Sequence, residues 1–212
     1  MKPTVVIGIV GGSGSGKTPL ARGLQALTAR YGNVLMSQDS YYRGLSDGMD
    51  ARNYNFDEPA ALDMDLLAVH LALLKAGRPV HAPLYDFETH RRRAATETVS
   101  PAALIIVEGL FLYALPALRE VFDLRFFLDV PAAERLRRRI DRDVRERGRT
   151  EQEIIAQFRE QVEPMYIRHV EPTRKHADAV LSLPHPDDRT YCEQVAAMWR
   201  RIEERLGPLP LP

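Results

Sequence analysis

Short apolar runs alternate with amphipathic segments along most of the chain. The first run, residues 5–10, reads Val-Val-Ile-Gly-Ile-Val, a β-branched composition typical of a buried parallel strand. Residues 19–30 follow, with Leu20, Leu24 and Leu27 on one side of a predicted helix. The same reasoning predicts further strands over 33–37, 103–107, 124–128 and 179–183, and further helices over 63–76, 131–147, 151–164 and 188–206.

The order of these elements predicts an α/β fold. Strands that alternate with helices form a parallel sheet with helices on both faces. We expect a single domain over residues 1–212, a length that suits one domain. Residues 79–99 are proline-flanked, aromatic and basic, and they predict a hairpin outside the main sheet. In parallel sheets ligands bind beyond the carboxyl ends of the strands, so the residues at those ends are the candidates for function.

Three residues mark predicted helix ends. Asp63 is suited to cap the amino terminus of the helix over 63–76, and Gly77 is suited to end it. Pro131 fits the first position of the long helix over 131–147, because that position needs no backbone N–H.

A glycine-rich segment follows the first predicted strand. Residues 11–18 read Gly-Gly-Ser-Gly-Ser-Gly-Lys-Thr, which fits the phosphate-binding loop: a glycine, four free positions, then Gly-Lys-Thr. Glycine lets the backbone turn its N–H groups toward an anion, and the next helix adds its positive end. Lys17 supplies a charge to the β- and γ-phosphates, and the Thr18 hydroxyl is suited to Mg²⁺. The residues predicted to bind a nucleotide are Gly11, Gly12, Ser13, Gly14, Ser15, Gly16, Lys17 and Thr18.

Composition narrows the class of protein. The chain carries 29 basic and 29 acidic residues, and this zero net charge argues against non-specific nucleic acid binding. An apolar share of 45% is ordinary for a soluble globular protein. Cys192 is the single cysteine, which excludes a disulfide framework within one chain. The sequence has no signal-peptide pattern and no apolar run of about 18 residues, so we expect a cytoplasmic protein without a membrane partner.

Two carboxylates stand at predicted strand ends. Asp39 follows the strand over 33–37, where it can accept a proton from an attacking hydroxyl or hold a metal through water. Glu108 ends the apolar run before it, in the usual place of a second metal-holding group. A Mg²⁺ site needs one or two carboxylates, since phosphate oxygens and waters complete the octahedron. Asp39 and Glu108, with Thr18, are the candidate metal ligands.

An arginine-rich stretch follows Pro131. Residues 134–149 hold eight arginines against four acids, and pairs such as Glu134 with Arg138 and Asp141 with Arg145 predict a solvated helix face. Such pairs cover half of the arginines at best. We therefore interpret residues 132–163 as a helical lid that brings guanidinium groups over the phosphates. The unpaired candidates are Arg139, Arg142, Arg147 and Arg149.

Aromatic residues beside polar groups occur twice. The segments are Asn-Phe-Asp at 55–57 and Tyr-Asp-Phe at 85–87 with His90 nearby. Tyr85 and Phe87 are expected on one face of a strand. Aromatic faces stack on nucleobases, although packing under a loop explains them equally well. The run of three arginines at 91–93 is interpreted as a solvated turn.

Taken together, these segments resemble the uridine kinase family, which phosphorylates pyrimidine nucleosides. The matching segments extend from residue 6 to about residue 180. They are GGSGSGKT at 11, SQDSYY at 37, NFDEP at 55, YDFETH at 85, VEG at 107, RRIDRDVRERGR at 138 and EPTRKHAD at 171. Three positions depart from the family pattern: Pro19, Glu58 and the Leu-Pro-His at 183–185.

The resemblance implies a P-loop kinase fold and transfer of the γ-phosphoryl group of ATP or GTP, with Mg²⁺, to a nucleoside 5′-hydroxyl. It implies that Asp39 is the catalytic base, beside Lys17, and that Thr18 and Glu108 hold the metal. It further implies a cytoplasmic enzyme of pyrimidine salvage that is often a tetramer. The substrate contacts implied, or supplied by the aromatic segments, are Tyr42, Phe56, Asp57, Tyr85, Phe87, His90, Arg139, Arg149 and Gln157, with Arg142 and Arg147 as lid groups near phosphate.

Alternatives stay open at this point. A different small-molecule kinase on the same scaffold, phosphoribulokinase-like or pantothenate kinase-like, has the same loop and carboxylates. A nucleotide-dependent switch or binding module also has the loop, although the chain contains no Asn-Lys-x-Asp segment to read guanine. A nucleic acid binder fits least well, because the basic residues cluster in one helix.

Overall fold

A five-stranded parallel sheet forms the centre of the computed structural model, which describes residues 4–45, 48–49, 54–182 and 188–206. The strand order is β2-β5-β1-β6-β7, so the first strand lies in the middle. A separate antiparallel pair, β3 with β4, is the hairpin predicted over 79–99. The strands are β1 (Val5–Gly11), β2 (Asn33–Ser37), β3 (Val80–Asp86), β4 (Arg91–Val99), β5 (Leu104–Gly109), β6 (Leu124–Asp129) and β7 (Ala179–Ser182).

Helices cover both faces of the sheet, as the alternating pattern predicted. Short 3₁₀ turns cover Ala29–Tyr31, Gln38–Tyr41 and Pro59–Ala61. The α-helices are α1 (Lys17–Leu27), α2 (Met64–Lys75), α3 (Pro116–Arg119), α4 (Ala132–Arg147), α5 (Glu151–Gln157), α6 (Glu163–Met165) and α7 (Asp188–Leu206). In the part of the chain that the structure describes, no helix is long and apolar enough to cross a membrane.

The sheet divides the hydrophobic core into two layers. Successive side chains of β1 point to opposite faces, so Val6 and Val10 join one layer while Ile7 and Ile9 join the other. The first layer packs against α2 and the hairpin, and the second packs against α1 and α7. Each strand of the sheet centre is therefore buried on both faces, which explains its nearly continuous apolar sequence.

The predicted ends of α2 are confirmed. The Asp63 carboxylate accepts a hydrogen bond from the Leu66 N–H at 3.4 Å. At the other end Gly77 has a φ of 76°, and its N–H donates to the Leu74 carbonyl at 3.0 Å. The next N–H, of Arg78, donates to Leu73 at 2.9 Å, and together these bonds satisfy carbonyls that the helix leaves open.

The predicted end at Pro164 is wrong. After α5 the chain continues through a π-helical stretch (Phe158–Val162), α6, a second π-helical stretch (Tyr166–Val170) and a 3₁₀ stretch (Glu171–His176). Pro164 lies in the first turn after a widened π stretch, where its missing N–H and its ring are tolerated. Smaller differences occur elsewhere: Pro131 is the N-cap of α4, and β7 ends at Ser182, so its predicted last residue, Leu183, lies outside the described residues.

Candidate active site

The glycine loop joins β1 to α1 at the carboxyl edge of the sheet. Gly14 and Gly16 have φ values of 79° and 88°, which side chains rarely allow. A Cβ on Gly14 would also collide with the carbonyl oxygen of Arg135. The Ser15 N–H donates to the Gly12 carbonyl at 3.0 Å and closes the turn. The backbone therefore follows a path that only glycine permits at residue 14.

The loop keeps the features of an anion site. Gly16 caps α1 without a side-chain hydrogen bond, and the first turn of α1 contains no acidic residue. No acidic residue of α1 itself therefore offsets the positive end of the helix. Within the described part of the chain, the buried Ser15 Oγ has no hydrogen-bond partner. A phosphate fits these groups, because it accepts hydrogen bonds and carries negative charge.

The two predicted carboxylates meet beside the loop. The sheet register places Ser37 of β2 opposite Glu108 of β5, and Ser37 Oγ donates to Glu108 Oε1 at 2.7 Å. Ser37 Oγ also accepts from the Asp39 N–H at 3.3 Å, so one serine connects both acidic residues. Glu108 is 3% exposed. Burial raises its pKa, the Lys17 charge opposes the rise and Asp39 adds to it, while Thr18 hydrogen-bonds to the carboxylate.

These oxygens suit a magnesium ion. Thr18 and Asp39 both lie close enough to Glu108 to affect the pKa of its carboxylate. Hydroxyl and carboxylate oxygens are hard ligands, and Mg²⁺ bound to a nucleotide needs few of them from the protein. Among the described residues no group of three or more His, Cys, Asp or Glu side chains is arranged to hold a metal by itself.

Helix α4 packs directly across the glycine loop. Arg138 Nη1 donates to the Ser15 carbonyl at 3.0 Å, and Arg139 Nη1 donates to Ser13 Oγ at 2.8 Å. Arg135 is almost fully buried, with its guanidinium 3.9 Å from the centre of the Tyr166 ring. The anchoring roles of Arg135 and Arg138 were missed in the sequence, where they merged into the arginine-rich run.

Three predicted substrate contacts form one hydrogen-bonded group. Gln157 Oε1 accepts from Arg139 Nη2 at 2.9 Å and from Arg149 Nη1 at 2.7 Å. Asp57 lies near the same group: burial raises its pKa, and the charge of Arg139 is the largest opposing influence. The structure therefore brings Arg139, Arg149, Gln157 and Asp57 together beside the loop.

The expected charge pairs on α4 are only partly right. Glu134 Oε1 accepts from Arg138 Nε at 2.7 Å, as predicted. The pair of Asp141 with Arg145 is wrong, because Asp141 pairs with Arg137 at 2.9 Å and Arg145 pairs with Glu146. Arg137 also pairs with Glu134 at 2.8 Å, so one arginine bridges both acids.

Arg142 and Arg147 both contact Asp143, which the sequence analysis did not single out. Arg142 Nε lies 2.7 Å from Asp143 Oδ1, and Arg147 Nε lies 3.7 Å from the same oxygen. Burial acts to raise the Asp143 pKa, but the hydrogen bond and charge of Arg142, with Arg147 and Arg139, lower it overall. The predicted lid arginines are therefore held by a common carboxylate.

The predicted aromatic residues form a cluster next to Asp39 and Asp57. Ring centres are 5.8 Å apart for Tyr42 and Phe56, and 5.3 Å apart for Tyr42 and Tyr85. Burial raises the pKa of Tyr42, and the charges of both aspartates add to the rise. The hydroxyl of Tyr85 is buried and finds no hydrogen-bond partner among the described residues. A buried hydroxyl without a partner marks a position that a polar ligand can complete.

His90 packs on this cluster in an uncommon backbone conformation. Its φ is 54°, and its ring stacks on Phe56 with centres 4.8 Å apart. Burial lowers its pKa, and the nearby positive charge of Arg147 lowers it further. His90 therefore lies between the aromatic cluster and the end of α4.

The expected strand position of Phe87 is wrong. Strand β3 ends at Asp86, whose carboxylate accepts the N–H groups of Glu88 and Thr89 and so starts the turn. Phe87 lies in that turn and is 52% exposed. Its ring still contacts Tyr85, with centres 5.1 Å apart.

Arg92 corrects the interpretation of residues 91–93 as a solvated turn. Its Nε donates to the Tyr42 carbonyl at 2.7 Å, and its Nη2 donates to the Tyr41 carbonyl at 2.8 Å. Its Nη1 also contacts Asp63 at 3.3 Å. Because β4 is a strand, alternate side chains face the body of the protein, and the period-two pattern was the available signal.

Gln38 was also missed, although it precedes Asp39. It is fully buried, and its Oε1 accepts from the Phe111 N–H at 2.9 Å. Its Nε2 donates to Met64 Sδ at 2.9 Å. A Cβ on Gly109 would collide with this side chain. Gln38 thus ties the segment carrying Asp39 to the strand end carrying Glu108.

Two departures from the family pattern fit the structure without strain. Pro19 is exposed in the first turn of α1, where a backbone N–H has no partner within the helix. Glu58 is the N-cap of the 3₁₀ turn Pro59–Ala61. The third departure, at 183–185, lies outside the described residues.

Comparisons with known proteins agree with this arrangement. The sequence pattern of the Phosphoribulokinase / Uridine kinase family matches residues 6–188. Among curated relatives, uridine kinase of Deinococcus deserti is 44% identical over 182 residues, which is 85% of this chain and 87% of that protein. Uridine kinase of Staphylococcus epidermidis is 39% identical over 85% of this chain and 88% of its own. Phosphoribulokinase from Rhodobacter spheroides shares the fold, with a TM-score of 0.63 at 14% identity over 86% of this chain and 71% of its own.

Proposed function

The chain belongs to the phosphoribulokinase and uridine kinase family, and on that premise we propose that it phosphorylates uridine and cytidine at the 5′-hydroxyl to give UMP and CMP. The observation that carries the proposal is the meeting of Asp39 with the glycine loop on one side and the aromatic cluster on the other. The high identity to proteins named uridine kinase supports the same acceptor.

On the donor side, ATP or GTP with Mg²⁺ is proposed to occupy the glycine loop, Gly11 to Thr18. Magnesium supplies charge neutralisation at the phosphate oxygens. Thr18 and Glu108 are its proposed ligands, with Asp39 contributing through water, and Lys17 neutralises the transferred group. The amino terminus of α1, whose first turn contains no acidic residue, supports this assignment.

On the acceptor side, Asp39 is proposed to accept the proton of the 5′-hydroxyl as that oxygen attacks phosphorus. Asp57 hydrogen-bonds the ribose, and Tyr42 and Phe56 enclose it. Tyr85, Phe87 and His90 line the base. The unpartnered Tyr85 hydroxyl supports a polar group of the substrate there, since a buried hydroxyl normally has a partner.

The arginines are proposed to stabilise the transferring phosphoryl group. Arg142 and Arg147 act on the phosphate oxygens, while Arg139 and Arg149, with Gln157, position the substrate. A guanidinium aimed at the charge that develops during transfer is worth on the order of 10³-fold or more in rate. Residues 132–163, taken as the lid, would exclude water while the groups react.

The aromatic cluster favours this function over the alternatives. A sugar phosphate or pantothenate-like acceptor has no planar base for Tyr85 and His90 to contact. A switch module has no use for a carboxylate aimed at an acceptor hydroxyl. A base-bearing alcohol explains the loop, Asp39 and the aromatic residues together.

The decisive experiment is a panel of acceptors incubated with ATP and Mg²⁺, with products identified by mass. We expect UMP and CMP from uridine and cytidine, and little product from ribulose 5-phosphate, pantothenate or purine nucleosides. Lys17→Ala should lower turnover by several orders of magnitude, about 10³-fold or more. Lys175→Ala, which removes an exposed lysine, is the matched control. Phosphorylation of a non-nucleoside in preference to uridine would contradict the proposal.

Three further expectations stay predictions: a single domain over 1–212, a homo-oligomer that the family resemblance suggests is a tetramer, and a cytoplasmic location. The absence of nucleic acid and membrane partners likewise stays a prediction from charge and composition.

A further inference from the structure

One buried carboxylate, that of Asp143, is shared by four arginines of α4 and the segment after it. Asp143 is fully buried in the middle of α4. Its two oxygens lie 2.7 Å from Arg142 Nε, 3.6 Å from Arg139 Nε, 3.7 Å from Arg147 Nε and 3.8 Å from Arg149 Nη1. These four are the arginines that the proposed function places at substrate and phosphate.

The arrangement differs from an ordinary ion pair on a helix. An exposed pair such as Arg137 with Asp141 leaves both groups in water and contributes little. Here one carboxylate faces four guanidinium groups, and even with Asp57 near Arg139 the group keeps an excess of positive charge at the site proposed for phosphates. Only the bond from Arg142 is short. Asp143 Oδ2 has no hydrogen-bond partner in the described chain and has only the two longer contacts, to Arg139 and Arg149.

We propose that Asp143 is a positioning residue, which holds the four guanidinium groups together and aims Arg142 for phosphoryl transfer. The inference rests on the proposed function. Asp143 does not touch substrate, because the arginines enclose it. Without it, like charges would repel, and four long side chains would lose a common partner.

The geometry connects this carboxylate to both halves of the site. Arg139 reaches Ser13 of the glycine loop and Gln157. Arg147 lies close enough to lower the pKa of His90 in the aromatic cluster. The Asp143 carbonyl also accepts the Arg149 N–H at 3.2 Å, where α4 ends at Gly148. Asp143 therefore contacts arginines that reach the glycine loop, Gln157 and the aromatic cluster.

Asp143→Asn tests the proposal, with Asp141→Asn as the control that makes the same charge change on the exposed face of the same helix. We expect Asp143→Asn to lower kcat about 10- to 100-fold and to change KM for ATP less than about threefold. The reason is that Arg142 is still present in this variant and only its orientation is lost. Asp141→Asn should keep kcat within about twofold of the parent. The melting temperatures of the three proteins establish that equal fractions are folded.

A double-mutant cycle separates positioning from general structural damage. Because Asp143 aims Arg142 but also holds three other arginines, Asp143→Asn should lower kcat by a smaller factor in an Arg142→Gln background than in the parent. Two outcomes overturn the proposal: kcat of Asp143→Asn close to that of the Asp141→Asn control, or a loss in the double variant that equals the product of the two single losses.

A spectroscopic readout makes the test independent of the substrate. In ¹H–¹⁵N spectra, the Nε–H resonance of Arg142, assigned by its absence in Arg142→Gln, should be protected from exchange in the parent and in Asp141→Asn. It should lose that protection in Asp143→Asn, and unchanged protection there overturns the proposal. If the parent phosphorylates no nucleoside, the proposed function fails, and this measurement still decides whether Asp143 holds the arginine.

Discussion

At the scale of single residues, the site is marked by polar atoms whose partners are missing from the protein itself. Ser15 Oγ lies in the glycine loop and the Tyr85 hydroxyl lies in the aromatic cluster, and both are buried without hydrogen bonds to the described chain. Such atoms raise the energy of the ligand-free protein and favour binding of a ligand that supplies the bonds.

Asp39→Asn should lower kcat about 10²- to 10⁴-fold, because an amide cannot accept the proton of the acceptor hydroxyl. KM for the nucleoside should change little, since Asp57 and the aromatic residues still hold it. Steady-state kinetics measure both constants. Asp65→Asn, on the exposed face of α2, serves as the control. Retention of parental kcat by the Asp39 variant would remove the base role.

The sequence was sufficient for residues with a fixed motif or position. Lys17 and Thr18 follow the glycines, and Asp39 and Glu108 stand at the ends of apolar strands, so each was predicted and each lies at one edge of the sheet. Asp143 was counted in the sequence only as one of four acids in a run that contains eight arginines. Its pairs with Arg139 and Arg147 have the i,i+4 spacing of a helix and could have been predicted, whereas its burial and its contacts with Arg142 and Arg149 do not follow from that spacing.

At the scale of elements, two attachments orient the site: the hairpin β3–β4 and the helix α4. Arg92 ties the hairpin to the Tyr41 and Tyr42 carbonyls, and Arg138 with Arg139 ties α4 to the glycine loop. In both cases a side chain holds the backbone of a neighbouring element, so long-range contacts set the orientation. Sequence periodicity predicted the two elements, but it contains no information on these cross-links.

Arg92→Gln should raise KM for uridine about tenfold, because the carbonyls of Tyr41 and Tyr42 each lose a charge-assisted hydrogen bond and the aromatic cluster shifts. The effect on KM for ATP should be small, since the glycine loop is untouched. Arg93→Gln removes an arginine that pairs with Asp86 at the surface, and it should leave both constants unchanged. Equal KM values for the two variants would show that Arg92 does not support the nucleoside pocket.

The wrong helix end shows how elements depend on their neighbours. Proline disfavours the interior of a helix, and the helix over 151–164 was expected to end at Pro164. Its position after a π-helical stretch removes the conflict, and the helical path continues through Tyr166, whose ring packs on Arg135. The contact between Tyr166 and Arg135 of α4 thus accompanies a helical path through Pro164 that local sequence preference disfavours.

At the scale of the whole molecule, the sheet is stable enough to carry groups that destabilise it. The strands at its centre are apolar on both faces, whereas Glu108 at the end of β5 is a buried acid close to Asp39. Burial and like charge raise the pKa of such a group and cost stability when it is ionised. The fold class could be predicted because this apolar framework follows simple periodicity.

Glu108→Gln should stabilise the protein while lowering kcat about 100-fold or more. The pKa of Glu108 in the folded state lies above its ordinary value of 4.5. The parent therefore loses stability as pH rises through the folded pKa, and the glutamine variant does not. As pH falls toward 4.5 the stabilities of the two proteins should converge, and at pH 8 the variant should have the higher Tm.

Thermal melts over pH 4–8 measure this difference. Glu97→Gln, which changes an exposed glutamate on β4, is the control and should follow the parent at every pH. A Glu108 variant less stable than the parent at pH 8 would mean that the ionised carboxylate stabilises the ligand-free fold.

The missing Cβ of Gly14 has a mechanical consequence. The Arg135 carbonyl occupies the space that a side chain at residue 14 would need. The first turn of α4 therefore packs directly against the backbone of the glycine loop. Closure of the proposed lid would then rotate α4 about that end, where Arg138 and Arg139 also contact the loop. A helix of 16 residues is a lever about 24 Å long, so a rotation of about 10° displaces its far end by roughly 4 Å. The arginines nearest Gly148 would travel farthest, while those beside the pivot stay in register with the loop.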